Sequence, residues 1–534
     1  MQTSAPMCEM RQRRGLLLLL SFWVAVAVMA DKTEYQTLKS AQTDYHPSTP
    51  VDRLGVRMIS PVYATIPVGD KEITVALTVW LRRVGATKGP FDMPHQAKDS
   101  IRMLVWAEKP DNLHNRAFGH MILPFNHSTW RPNLLLEAAE PGPVLQVLPD
   151  KGQQPVPPKM ESALRPYSLR VDLPAGVGDC FKLIETSYPK HKFPICLPPA
   201  AEDGVCSELA PPTRHNASAP ALYLTIAPVR QQDVVSSTSR QCAVDPTSIR
   251  DWQQYYARWA VRLRHYVEYH LAAGAAGLLL YADELTRRYL TATPDISPFL
   301  KAKQLRLVEW DLPERSHEDD DGLGRPLGYN YDQALFAGHA WLGLSACGTN
   351  LMLLVTDLDE YLYSPRPHVR WPAPLTSCMG RPGADRTAAT ATSPAISDYR
   401  LLRYEVVAGD LGQDEEAEVW ATKQDSSNSS SGSSSSGVSP SHPLAHYTLI
   451  YKQPLSKMHG KVMALPAADV VLFFVHEGHA LYGSTHVVDS QCLVLLHVTN
   501  FFCARRKSVN PDTLQEFRHW MFYRDEAATS VQPA

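Results

Sequence analysis

Leu351-Met352-Leu353-Leu354-Val355-Thr356 (LMLLVT) runs without a break into Asp357-Leu358-Asp359-Glu360-Tyr361-Leu362 (DLDEYL). An apolar run with no polar alternation predicts a strand buried on both faces. The acids directly behind it stand at that strand's carboxyl end. Two carboxylates spaced i, i+2 in such a place can converge on one hard cation. Mn²⁺ or Mg²⁺ takes oxygen ligands and is commonly shared with substrate phosphates. Asp357 and Asp359 are therefore read as holding a metal and a donor diphosphate. A bare Asp-x-Asp is also a common solvated turn; the buried strand in front of it, the α/β context and the lumenal location read below decide together for the site.

Working outward, the same alternation continues upstream. Ala221–Ala227 (ALYLTIA) is a near-continuous apolar run and predicts a buried strand. Asp251 then stands as N-cap or first-turn acid of a helix. Trp252, Tyr255, Trp259, Leu263, Tyr266 and His270 follow at steps of three and four, on one face, and Gly274 and Gly277 end the helix. Leu278–Tyr281 is a second strand, ending in Asp283-Glu284. A short helix around Ser297–Lys303, a strand Gln304–Trp310 and a helix Asp332–Leu344 come next. This order predicts an α/β fold, a mostly parallel sheet with helices on both faces. Ligands of such sheets sit outside the carboxyl ends of the strands, and both acidic clusters lie there.

Upstream the period differs. Glu72–Leu81, Ile101–Ala107, Val144–Leu148 and Tyr167–Val171 are short strand runs broken by Pro and Gly, predicting a β-sandwich-like module over 55–175. Trp80 and Trp106 could stack on sugars there, but large buried aromatics are the commoner case. Residues 31–54 read as a stem, 176–215 as a Pro-rich connector, and 511–534 as a C-terminal tail. Glu318–Asp321 and the Ser/Gly tract 425–437 read as solvated inserts. The chain carries 52 Lys+Arg against 55 Asp+Glu. That balance lacks the basic excess of a dedicated nucleic-acid binder.

Arg11, Arg13 and Arg14 precede an uncharged stretch from Gly15 to Ala30. Basic residues before an apolar block make an export signal. It is shorter than the ~20 residues that span a bilayer comfortably. Two readings stand: cleavage after Ala30, which leaves a secreted protein, or a short signal-anchor with its basic end in the cytosol. Both place the remainder in the secretory lumen or outside the cell. Sequons at Asn126, Asn216 and Asn428 and the even set of eight cysteines beyond Cys8 agree with that compartment.

Three blocks, taken in order, resemble glycosyltransferase family 92. Arg258–Asp283 is similar to the family's helix, Gly turn and strand, keeping Tyr269-His270 and ending Tyr281-Ala282-Asp283 with an inserted Ala. Gln333–Leu362 resembles the block carrying Asp-x-Asp-Glu. Lys461–His476 resembles the third, although Leu465 stands where the family has a basic residue before Pro466. Leu495-Leu496-His497 resembles a later element in which Val498 replaces the usual Tyr.

The resemblance spans roughly 220–505. It implies a GT-A type transferase domain, here 216–510, preceded in galactan-synthesising relatives by a carbohydrate-binding β-sandwich. It implies an inverting, Mn²⁺-dependent transfer of a hexose, galactose in characterised relatives, from a nucleotide sugar such as UDP-galactose to a glycan acceptor. It also implies a Golgi membrane protein of type II topology. Asp283 would then meet the nucleoside and Lys461 the diphosphate, unless Lys461 is a surface lysine. His476 would be a further metal ligand, with His497 the runner-up. Glu360 is a candidate base or a structural anchor, and Glu477, Asp410 and Glu405 are other base candidates. Two further classes stand beside this one. One is a non-catalytic glycan-binding or scaffolding protein with a degenerate transferase domain. The other is a glycoside hydrolase with two carboxylates.

Overall fold

The computed structural model describes residues 52–68, 71–86, 98–108, 132–138, 142–149, 164–186, 189–198, 205–209, 219–229, 252–310, 329–347, 350–380, 396–408, 442–455, 460–468, 470–474, 477–480, 484–498 and 510–522. The export segment, the three sequon asparagines, Asp251, the acidic run, the Ser/Gly tract, Asp410, His476, Cys242 and Cys503 lie outside them. Among the described residues no helix is long and apolar enough to cross a membrane. The architecture is mixed α/β, with strands outnumbering helices and one large curled sheet.

Among the described residues the N-terminal part is built of strands. Its strands are β1 (Arg57–Ile59), β2 (Val62–Val68), β3 (Lys71–Val84), β4 (Ser100–Glu108), β5 (Leu134–Ala138), β6 (Val144–Gln146), β7 (Leu148–Pro149), β8 (Leu164–Asp172), β9 (Cys180–Glu185) and β10 (Phe193–Cys196). They pair antiparallel in two sheets, one ordered β1-β3-β4-β8-β7 with β2 on β3, the other β10-β9-β5-β6. Val79, Leu81, Ile101, Met103 and Val105 of the first sheet meet Leu134, Leu136, Phe181 and Leu183 of the second in one core. Strands β9 and β10, joined by the Cys180–Cys196 disulfide, carry this sandwich past residue 175 into the stretch expected to be connector. The Pro-rich composition there hides two short strands, because Pro194 can sit where β10 needs few ladder bonds.

The C-terminal part begins with α1 (Val205–Leu209). Then come β11 (Ala221–Val229), α2 (Trp252–Ala272), β12 (Gly277–Ala282), α3 (Glu284–Ala292), α4 (Ser297–Lys301), β13 (Leu305–Glu309), α5 (Tyr329–Leu344) and β14 (Leu351–Thr356). The order β13-β12-β11-β14 is parallel throughout. Helix α2 ends in Gly274 at φ 99°, where Ala275 N–H reaches back to the His270 carbonyl. Gly277 does not end the helix, contrary to expectation. It opens β12, packed against the Tyr223 ring. Residues of α2 and α3 cover one face of the sheet, and α5 covers the other.

Beyond β14 the sheet departs from the expected mostly parallel order. The later strands are β15 (Glu360–Tyr363), β16 (Ile396–Val407), β17 (Leu449–Tyr451), β18 (Lys461–Ala464), β19 (Val470–Phe474), β20 (Glu477–Ala480), β21 (Ser484–Val487), β22 (Val494–Val498) and β23 (Leu514–Glu516). Strand β18 joins β14 antiparallel, β16 joins β18 antiparallel, and β22 runs parallel to β16 but antiparallel to β15. Most of these strands are three to five residues long, and their antiparallel pairs need no crossover of a dozen or more residues. Residues 510–522 are no free tail: β23 pairs with β17, and Met521 is buried in the core.

The two parts share packed surface. Val79 and Leu81 face the sandwich core, while Trp80 on the opposite side stacks on Trp310 with ring centroids 5.4 Å apart. Trp80, Leu104 and Trp106 join Phe336 and Trp341 of α5 in a second core, so both tryptophans are structural. Leu54 packs so tightly on Gly343 that a Cβ there would lie 2.7 Å from Leu54 Cβ. Asp52 accepts from the Leu54 and Val56 amides and bonds His339 Nε2 at 2.6 Å, while His339 Nδ1 meets the Tyr281 hydroxyl at 2.8 Å. The end of the expected stem thus belongs to the folded body.

Candidate functional site

The chain enters its parallel sheet at β11, builds outward through β12 to β13, then returns to the other side of β11 with β14. The reversal places a switch point between β11 and β14, and ligands of open α/β sheets bind outside the carboxyl ends of strands there. Strand β14 ends at Thr356, so Asp357, Leu358 and Asp359 form the turn at that crevice and Glu360 opens β15.

Helix α2 fixes this turn from beneath. The Tyr266 hydroxyl meets Thr356 Oγ1 at 2.5 Å, and the Tyr269 hydroxyl donates to the Leu362 carbonyl at 2.9 Å. His270 Nδ1–H donates to the Tyr266 carbonyl, which leaves Nε2 as the acceptor for the Leu362 amide at 3.2 Å. That tautomer needs a neutral ring, and burial depresses His270 to about 3. The Tyr269-His270 pair noticed in the sequence is a clamp on the acidic turn.

The carboxylates divide by environment. Asp357 keeps 32 % of its side chain exposed and accepts from Lys461 Nζ at 2.7 Å. Asp359 is buried, with Oδ2 3.4 Å from His497 Nε2. Glu360 is fully buried. Its Oε1 accepts from Arg403 Nη1 at 2.8 Å, its Oε2 accepts from the Asp357 amide at 2.9 Å, and Lys461 Nζ lies 3.5 Å from Oε2. Burial pushes the Glu360 carboxyl up, while Lys461 and Arg403 pull against it. Lys461 runs the opposite way. Burial would lower its ammonium, but Asp357 and Glu360 outweigh that and hold it above the ordinary lysine value. Glu360 therefore has the anchor's geometry, and Lys461, 1 % exposed, is not a surface lysine.

The remaining residues separate. Asp283 caps α3, its Oδ1 accepting from the Thr286 amide at 2.8 Å. Glu405 Oε1 lies 3.8 Å from His497 Nδ1. Glu477 opens β20. Arg403 is a site residue that sequence reasoning missed. Its strand, β16, carries charge among apolar residues (RLLRYEVV) without clean alternation, and a charge inside so apolar a strand was the available signal.

Magnesium-type ions are usually held by one or two carboxylates completed by water and substrate phosphate, not by an all-protein cage. Asp357, at the crevice and partly exposed, with Asp359 behind it, fits that habit. Among the described residues no three His, Cys, Asp or Glu side chains converge as a closed metal site. An ion held there would complete its shell with water or with oxygens of a bound ligand. No protein-family model matches this chain, and no curated protein is significantly similar to it.

Proposed function

We propose that this chain is a glycosyltransferase with a GT-A type domain, transferring a hexose from a nucleotide sugar to a glycan. The observation that carries this reading is Asp357-x-Asp359 at the carboxyl end of β14, beside the switch point of a parallel sheet. Asp357 and Asp359 would hold Mn²⁺ or Mg²⁺ with the donor diphosphate, and the ion would supply positive charge to stabilise the leaving group. Lys461 bridges Asp357 and Glu360, Arg403 pairs with Glu360, and the two would add fixed positive charge beneath that diphosphate. Glu360 holds the turn by accepting the Asp357 amide. The resemblance of the flanking blocks to glycosyltransferase family 92 makes UDP-galactose the first donor to test.

Three disulfides, Cys180–Cys196, Cys206–Cys347 and Cys378–Cys492, support a lumenal or extracellular site of action. With residues 15–30 as a signal-anchor, the chain is a Golgi protein of type II topology. With that segment cleaved, it is secreted.

The test is UDP release from a panel of UDP-hexoses with Mn²⁺. Wild type should turn over, and Asp357→Ala combined with Asp359→Ala should not. Full turnover by the double variant would end the reading. A second reading, a glycan-binding protein with a degenerate transferase domain, draws on the Lys461–Asp357 and His497–Asp359 contacts, which already engage one oxygen of each carboxylate. UDP binding by calorimetry that is indifferent to Mn²⁺ would favour it.

A further inference from the structure

The polar side chains of the site continue as a row across the curled sheet. Glu360, His497 and Glu405 are direct partners across β15, β22 and β16. Partners on neighbouring strands share a face, so the three point the same way. The next strand extends the row. Val406 opposes Ile450 on antiparallel β17, which brings Tyr451 beside Glu405. The Tyr451 hydroxyl is pushed up, by burial first and then by the Glu405 charge.

At that end of the row the surface opens into a cavity of ≈ 450 Å³, within the ~300–1,000 Å³ typical of small-molecule sites. Glu405, 8 % exposed, forms its floor, and Tyr451, Lys452, Gln453, Asp512 and Thr513 stand around it. The walls are tied. Lys452 Nζ donates to the Asp512 carbonyl at 2.9 Å, the Lys452 amide donates to the Thr513 carbonyl, and the Leu455 amide donates to the Arg403 carbonyl at 2.8 Å. Glu405 stands two strand spacings from Glu360, about 10 Å. The cavity therefore borders the same row of side chains as the acidic turn, two strands away.

Its lining is mostly apolar, Pro454 and Leu455 included, with a few polar groups, a mix that can take the C–H face of a sugar and bond its hydroxyls. A carboxylate and a primary amide offer hydrogen bonds to vicinal hydroxyls, and a half-buried tyrosine offers an apolar ring to the C–H face. Glu405 and Asp512 balance Lys452 in the lining, so no excess of positive charge favours an anionic ligand. We propose that this cavity is a carbohydrate subsite that takes a neutral hexose residue of a glycan, with Glu405 and Gln453 bonding its hydroxyls and Tyr451 packing on its ring. That the bound glycan is the acceptor rests on the glycosyltransferase reading; the binding itself does not.

The test uses the full-length protein and saturation-transfer NMR with β-1,4-galactotetraose, N-acetyllactosamine and maltotetraose. At least one should bind. Gln453→Ala, on an exposed residue, and Tyr451→Ala should each weaken it at least tenfold while leaving the melting temperature and UDP affinity of the Gln453 variant unchanged. No binding by wild type to any of the three, or binding that survives both substitutions, overturns the proposal. UDP affinity is measured in parallel on Asp357→Ala. If that affinity is absent or insensitive to the substitution, the donor-site reading fails while the oligosaccharide result stands separately.

Discussion

Acidification should destabilise this protein steeply, and the magnitude follows from four buried histidines. His265, His270, His442 and His519 are each 7 % exposed or less and cluster with Tyr269 and Tyr361. Three are locked neutral by geometry. His270 Nε2 accepts the Leu362 amide, His442 Nδ1 the Leu444 amide at 3.1 Å, and His519 Nδ1 the Met521 amide at 3.2 Å. A proton on any of those nitrogens would face an N–H donor.

Burial lowers His265 to about 4 and His270 and His519 to about 3, and it pulls His442 well below the ordinary value. For His265 burial and Arg264 prevail over Glu268, whose Oε2 is 3.8 Å away. With folded values depressed and an unfolded value of about 6.5, the unfolded chain binds more protons throughout the window between them. The stabilisation is fully present above pH ~6.5 and is lost as pH falls toward the folded values.

Between pH 7.5 and 5.5 each group forfeits about 1.4 kcal/mol, so the four together forfeit about 5 kcal/mol. That is a large share of the ~5–15 kcal/mol typical of a folded protein. Glu268 and Glu360, raised by burial, titrate in the stabilising direction and trim the loss. Scanning calorimetry should show the melting temperature of the transition falling by about 10 °C over that range. A melting temperature that is level or rising from pH 7.5 to 5.5 would refute the neutral-histidine argument.

Lys461→Met should destabilise by about 3–5 kcal/mol in urea titration, because it strands the buried Glu360 and the Asp357 carboxylate with Arg403 alone. Adding Glu360→Gln should recover part of that loss, which a double-mutant cycle reads directly. Gly274→Ala should cost upwards of about 2 kcal/mol, since φ is 99° and the new Cβ would lie 2.4 Å from the Trp371 carbonyl oxygen, a backbone atom with no rotamer to yield. Trp310→Ala should cost about 3–5 kcal/mol. It removes the ring stacked on Trp80 and set edge-on to Tyr281, where the sandwich meets the α/β part.

The parallel strands were legible because each is buried on both faces. Leu351–Thr356 was read with the bounds it has, and Ala221–Ala227 and Leu278–Tyr281 came within two residues of β11 and β12. The sandwich strands were legible where long, as in β3 and β4. They were lost in β9 and β10, where Pro and Lys dilute the pattern. Strands β15 to β23 carried little signal. Most are three to five residues long, and their partners lie far away in sequence, as with Glu360 opposite His497. Arg403 and Lys461 illustrate the cause. A lone charge in a strand reads as surface, and only the pairing that brings Glu360 between them shows both packed against it. Residues 514–522 read as tail for the same reason, although Tyr269 takes His519 as a partner from 250 positions away.

The histidine cluster and the acidic turn are parts of one construction. His270 receives the Leu362 amide, Tyr269 donates to the Leu362 carbonyl, and Tyr266 holds Thr356, so α2 grips the chain on both sides of Asp357 and Asp359. The turn needs such a grip because its charges favour release. Asp357, Asp359 and Glu360 stand within four positions, and Lys461 and Arg403 offset their mutual repulsion, with His497 against Asp359. Packing Glu360 away and leaving Asp357 partly exposed puts negative charge where, on the proposed reading, a cation-bound diphosphate would reach it. The neutral histidines beneath add no positive charge that would compete for those carboxylates. Rigidity of the turn and electrostatic demand for a ligand therefore arise from the same contacts. Loosening the clamp by acid should cost donor affinity as well as stability.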